Sequence, residues 1–182
     1  MVNSGRDIRD YGDSELCMVI SKIIPSSQAT LCGQITLQGR EETSGPSWVT
    51  PLAIKLMQGG TVVGSYTATT DEQGTFAISV PAGIYDVCIK SPRALSRKVS
   101  NVQLTAGWTT SVDFGTLLEG DANDDDVIAL GDYSMLYAAY GSVPGDPNWD
   151  DRCDFNRNGA VDLGDYSLLY SNYGLARDCY QE

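Results

Sequence analysis

Residues 121–141 and 154–174 are two copies of one segment set 33 residues apart. The first reads DANDDDVIALGDYSMLYAAYG and the second DFNRNGAVDLGDYSLLYSNYG, with 11 of 21 positions identical, among them the run Leu-Gly-Asp-Tyr-Ser. A close tandem repeat constrains folding more than composition does: the copies must fold alike, and a segment this short needs its neighbour to bury an apolar face.

Each copy opens with oxygen-bearing side chains at alternating positions. They are Asp121, Asn123, Asp125 and Asp132 in the first, and Asp154, Asn156, Asn158 and Asp165 in the second. These occupy positions 1, 3, 5 and 12 of a twelve-residue calcium loop. Calcium takes roughly six to eight oxygens, and alternate residues of a curled loop aim their side chains at one centre. Position 7 contributes a backbone carbonyl, from Val127 and Ala160, and position 9 offers Asp162 in the second copy but only Ala129 in the first. Two Ca²⁺ ions are therefore expected. Position 6, where a sharp turn favours glycine, is Gly159 in loop two but Asp126 in loop one. Ile128 and Val161 at position 8 are expected to pair the loops through a short β-bridge. The alternative is an acidic, Asn-rich turn before each helix, with Asp132 and Asp165 as ordinary charges near the helix dipole.

Charge follows the repeat. The chain has a formal net charge of −12 and no His. Residues 1–118 carry 9 basic and 10 acidic side chains, and residues 119–182 carry 3 and 14, so nearly all the surplus lies in the last third. This argues against nucleic acid or an anionic membrane as partner. The absence of His removes His-based triads. No apolar stretch reaches the length of a membrane span.

After each loop a helix of about ten residues is expected. Tyr133, Leu136, Tyr137 and Tyr140, and again Tyr166, Leu169, Tyr170 and Tyr173, follow the i, i+3, i+4, i+7 spacing of one helix face. Gly141 and Gly174 stand at the expected C-terminal caps. Eight large side chains exceed what two such helices bury between them, so some tyrosines are expected at the surface, where they favour interfaces.

Two loops ending in Asp, each with one short helix behind it and joined by a linker containing PGDPNW, resemble a type I dockerin over residues 119–176. The resemblance implies a calcium-dependent module that docks a cohesin-like domain on another protein, often in polysaccharide-degrading assemblies. It also implies partner contacts from Leu130, Gly131, Tyr137 and Ala138 in the first copy and Leu163, Gly164, Tyr170 and Ser171 in the second. Where the family often has a Ser/Thr pair, this chain has Leu-Gly. The near-symmetry suggests that either copy can face the partner after a half-turn.

Residues 29–118 carry seven short β-rich runs, beginning at Thr30, Leu52, Thr61, Gly74, Ile84, Ser100 and Thr109 and bounded by turn residues. Their number and spacing predict a β-sandwich. The phrase TTDEQGTFAISVPAGIYDVCI resembles carboxypeptidase-regulatory-like, transthyretin-like sandwiches, which implies a spacer or stalk. Trp48 and Trp108 are candidates for stacking on sugars, though core packing is the commoner use of such residues. Asp71, Glu72 and Asp86 form no marked pair, so no enzyme is expected.

The resulting expectation is a mixed, two-domain chain. Residues 1–28 form a partly flexible segment that adds a strand or packs locally. Residues 29–118 form an all-β sandwich, and 119–182 a small α module of two calcium loop–helix repeats. For the five cysteines, pairs Cys153–Cys179 and Cys32–Cys88 with Cys17 free are weighed against five reduced thiols. A calcium loop of this kind fills where calcium is plentiful, which favours an extracellular or cell-surface setting. The functional expectation is a non-catalytic docking protein. Its alternatives are a calcium-rigidified structural protein with no external partner, or a carbohydrate-binding sandwich.

Overall fold

The computed structural model describes residues 27–40, 43–177 and 179. Almost all of segment 1–28, with Cys17, lies outside the described residues. Each β-rich run falls in a strand: β1 (Gln28–Leu37), β2 (Pro51–Gln58), β3 (Thr61–Thr69), β4 (Thr75–Pro81), β5 (Gly83–Lys90), β7 (Arg97–Leu104) and β8 (Thr109–Leu117). β1 lies between β4, antiparallel to it, and β8, parallel to it. The second sheet is antiparallel, in the order β3-β2-β5-β7. Alternation in β2 turns Leu52, Ile54 and Leu56 inward, where they meet Leu31 and Ile35 of β1, Phe76 of β4 and Phe114 of β8. Each such burial contributes roughly 1.5–3 kcal/mol before chain entropy is set against it.

Two strands carried no sequence signal, β6 (Arg93–Ala94) and β9 (Glu119–Asp121). They pair antiparallel as a separate ribbon. The ribbon forms where the chain passes from the sheets into the first repeat. Too short and too charged to alternate, these strands are held by pairing and by what packs around them.

Helices α1 (Leu130–Ala139) and α2 (Leu163–Asn172) follow the two loops, each ten residues long. Gly141 and Gly174, at φ 81° and 83°, end them in the left-handed conformation expected of C-terminal caps. The inward residues of the helices are Leu136, Ala139 and Leu169, with most of the tyrosine face turned out. They pack on Ile128, Val161, Phe155, Cys153 and Ala122, and on Leu95 from the turn between β6 and β7.

Leu95 belongs to the strand region, and its presence in the helical core corrects the expected architecture. The described residues are mainly β, with two short α-helices completing a single fold, and the last third is not a separate α domain. Ten-residue helices bury too little on their own. Here they draw their remaining core, ion pairs and a covalent link from the sheets. Leu95 N–H donates to Leu118 C=O at 2.8 Å, Asn172 Nδ2 donates to Gln38 Oε1 at 2.6 Å, and Cys88 of β5 is bonded to Cys179.

That disulfide overturns both expected pairings. Cys153 is free and buried, and the burial pushes its thiol up to about 12. Cys32 is disulfide-bonded, but not to Cys88. Strand alternation places cysteines on faces but does not say which distant segment returns to meet them.

The expected bridge between Ile128 and Val161 is also absent. Ile128 N–H donates to Leu175 C=O at 2.9 Å, and Gly174 N–H donates to Ile128 C=O at 2.8 Å. Val161 N–H donates to Ser142 C=O at 3.0 Å, and Gly141 N–H donates to Val161 C=O at 2.8 Å. Each loop is stitched to the residues that follow the other copy's helix. The position-8 backbone groups are spent in that exchange and not on one another. Among the described residues, no helix is long and apolar enough to cross a membrane.

Candidate functional site: two acidic loops and the faces behind them

Loop two curls around its first carboxylate. Asp154 Oδ1 accepts Asn158 N–H at 3.2 Å, and Oδ2 accepts Gly159 N–H at 3.1 Å. Asp165 closes the ring by accepting Asn156 N–H at 3.1 Å and Asp162 N–H at 2.9 Å. The second contact fixes the start of α2, because Asp162 is its N-cap. Loop one repeats the set at equivalent positions. Asp121 accepts Asp125 N–H and Asp126 N–H at 3.0 and 2.9 Å, and Asp132 accepts Asn123 N–H and Ala129 N–H at 3.2 and 2.8 Å. Asn123, Asp125, Asn156 and Asn158 form short side-chain turns within the loops, for example Asp125 Oδ1 with Val127 N–H at 2.9 Å.

Asp121, Asp132, Asp154 and Asp165 are all buried. Burial raises the pKa of Asp154 against the pull of the Gly159 and Asn158 N–H groups, and likewise that of Asp165, with Asp154 adding like charge. Buried carboxylates are costly unless a cation meets them. Among the described residues, no three His, Cys, Asp or Glu side chains gather into a metal-binding group. What each loop offers is a set of hard oxygens from carboxylates, side-chain amides and the Val127 and Ala160 carbonyls. That donor chemistry fits calcium and suits no soft metal.

The loops differ in their surroundings. Lys90, buried at the end of β5, donates to Asp121 Oδ2 at 2.7 Å and to Ala94 C=O at 2.8 Å, and lies 2.9 Å from Asp124. Burial alone would lower the Lys90 pKa, but Asp121 and Asp124 outweigh it and hold the ammonium above its ordinary value. Asp126 takes a positive φ of 66° and accepts from Ser96, its backbone N–H and its hydroxyl each at 2.6 Å. Loop two instead sits beside Arg40, which donates to Phe155 C=O and pairs with buried Glu119 at 3.0 Å. Burial pushes Glu119 up to about 7, against the pull of Arg40 and Arg93. Neither Lys90, Ser96 nor Arg40 was singled out from sequence. The one available signal was Asp126 where glycine is expected.

All eight partner-contact residues inferred from the resemblance are exposed. Tyr137 and Tyr170 are 72% and 69% exposed, and Leu130 and Leu163 are 65% each. Tyr133 stacks on Tyr137 with centroids 6.2 Å apart, and Tyr166 on Tyr170 at 5.9 Å. Gly131 and Gly164 have an internal reason as well. A Cβ on Gly164 would come 2.7 Å from Asn156 Nδ2, and one on Gly131 3.0 Å from Asn123 Nδ2. A Ser/Thr at either position would push on the loop's own amide.

The remaining candidates separate cleanly. Trp48 is buried in the sandwich core, while Trp108 is exposed. Asp71 holds its turn by accepting Gln73 N–H and Thr75 N–H, and Asp86 accepts Asn101 N–H.

No family model matches the chain, and no curated protein does. Solved structures do. The chain is similar to one in an Acetivibrio cellulolyticus structure described as a C-terminal interface mutant of a type II Cohesin-X-Dockerin complex. Identity is 26% and the TM-score 0.66, over 81% of this chain and 97% of that one. A second structure, an N-terminal interface mutant of the same complex, matches at 25% identity and a TM-score of 0.62 over the same shares. What the chain resembles is a component of a cohesin–dockerin complex.

Proposed function

We propose that this chain is a non-catalytic docking protein that acts as the dockerin-type member of a cohesin–dockerin pair, with Ca²⁺ bound in loops 121–132 and 154–165. The observation that carries this is the pair of exposed Leu–Tyr faces, one behind each acidic loop, related by the 33-residue offset. The similarity to the Cohesin-X-Dockerin structures supports it. A match over 81% of the chain extends beyond the strands, since the first 118 residues are only about two-thirds of the sequence. In the bound state the ligands are Asp121, Asn123, Asp125, Asp132 and the Val127 carbonyl, and then Asp154, Asn156, Asn158, Asp165 and the Ala160 carbonyl, with Asp162 acting at position 9. Calcium supplies the charge that lets these buried carboxylates remain ionised. The chain's own residues fix the helix starts through Asp132 and Asp165 and so orient the tyrosine faces. The Cys88–Cys179 disulfide supports an extracellular or cell-surface setting.

A purified type II cohesin domain, titrated with this protein in calcium and in excess chelator, tests the proposal. Binding in calcium and its loss in chelator, together with a fall in helical circular dichroism, are expected. Unchanged binding and unchanged helicity in chelator would contradict it. A second reading, a calcium-rigidified structural protein, draws on the contacts of Lys90, Ser96 and Gln38 with the acidic third. It predicts a calcium-dependent melting temperature with no cohesin binding in either condition.

A further inference from the structure

Loops one and two share the backbone contacts of their first and last carboxylates but differ in what else meets the first one. Asp121 and Asp154 each accept two backbone N–H groups from the turn ahead of them. Asp121 also takes the Lys90 ammonium, which is itself buried and anchored on Ala94 C=O. Among the described residues, Asp154 accepts from backbone alone, and Arg93 and Arg40 act on it only through space. Loop one is further fastened by the Ser96–Asp126 contacts, whereas position 6 of loop two is Gly159, with no side chain to offer. The Lys90 contact is directed at the Oδ2 atom of Asp121, which leaves Asn123, Asp125 and Asp132 without a lysine in their way.

We propose that Lys90 is a positioning residue, a resident cation that keeps loop one folded with no metal bound, so that metal-dependent ordering falls to loop two. This rests on the calcium reading above. With no divalent ion, Asp154 and Asp165 are buried like charges that act on one another, and only Arg93 and Arg40, reaching Asp154 through space, offset them, which favours opening of loop two. In loop one the charge that most needs a partner already has one. The two sites then fill unequally: the ion at loop one adds to a formed structure, and the ion at loop two creates one.

Amide hydrogen exchange on the whole protein tests this at matched positions, Asp125 and Asp126 against Asn158 and Gly159. In chelator, the loop-one pair is expected to exchange at least about tenfold more slowly, the low end for a hydrogen bond to a charged group. Lys90→Met should shrink that difference in chelator to what the Ser96–Asp126 contacts alone sustain, and Lys90→Arg, which keeps the charge, should retain most of it. Added calcium should slow both pairs in all three proteins, a recovery that a general packing defect would not show. Equal exchange of the two pairs in the chelated wild-type protein, or an undiminished difference in Lys90→Met, overturns the proposal and leaves the calcium reading intact. No slowing of Asn158 and Gly159 by calcium overturns both.

Discussion

Asp126 sets both oxygens of its carboxylate on Ser96, one on the backbone N–H and one on the hydroxyl, each at 2.6 Å. The pairing joins position 6 of an acidic loop to the start of β7. It explains why an L-residue stands at φ 66°, where glycine is the easier choice.

Asp126→Gly therefore weighs two effects. Glycine relieves about 1 kcal/mol of left-handed strain, while Ser96 loses two buried acceptors at roughly 1–3 kcal/mol each. A net loss of about 1–5 kcal/mol is expected, read from the urea midpoint. A variant as stable as the wild type would show that solvent replaces the carboxylate.

Leu95→Ala should destabilise the helices from outside the acidic third. Large-to-small changes at sites this buried cost about 2–5 kcal/mol, and Leu95 lies in the core that holds Leu136 and Leu169. The expected result is one thermal transition shifted downward for both the strand and helix signals. Two separated transitions would mean that the helices melt independently of the sheets.

Tyr137 and Tyr170 are equally open to a partner. Each single alanine variant is expected to lower cohesin affinity by no more than about threefold, because the other face remains. The double variant should lose about 2 kcal/mol or more, the range of an interface hot spot. Calorimetry measures this. Loss of nearly all binding in one single variant would assign docking to one fixed face.

The repeat made the loops, the helix starts and the exposed tyrosines legible in sequence, because identical residues at a fixed offset report a shared geometry. The short β-rich runs located the strands of the sandwich, those that carry the core residues Leu31, Ile54 and Phe76 included. What joins the parts was not legible. Lys90, Ser96, Arg40 and Gln38 are single polar residues in unremarkable surroundings, and their partners lie far along the chain. The cysteine pairing failed for the same reason. A bond between positions 88 and 179, a sequence separation of 91, depends on how the last residues return to the sheet, and neither periodicity nor composition encodes that.

The Cys88–Cys179 bond also changes how the molecule carries force. The acidic third leaves the sheets through β9 and is tied back to β5 at Cys179, so both of its ends are fixed to the same body. Tension applied beyond Cys179 passes through the sulfur bridge into β5 and does not run along the peptide of the two loops. For tension between the sandwich and the chain beyond Cys179, the loops and the tyrosine faces they orient are thereby a side branch off the load path, whereas a partner seated on those faces pulls directly on them.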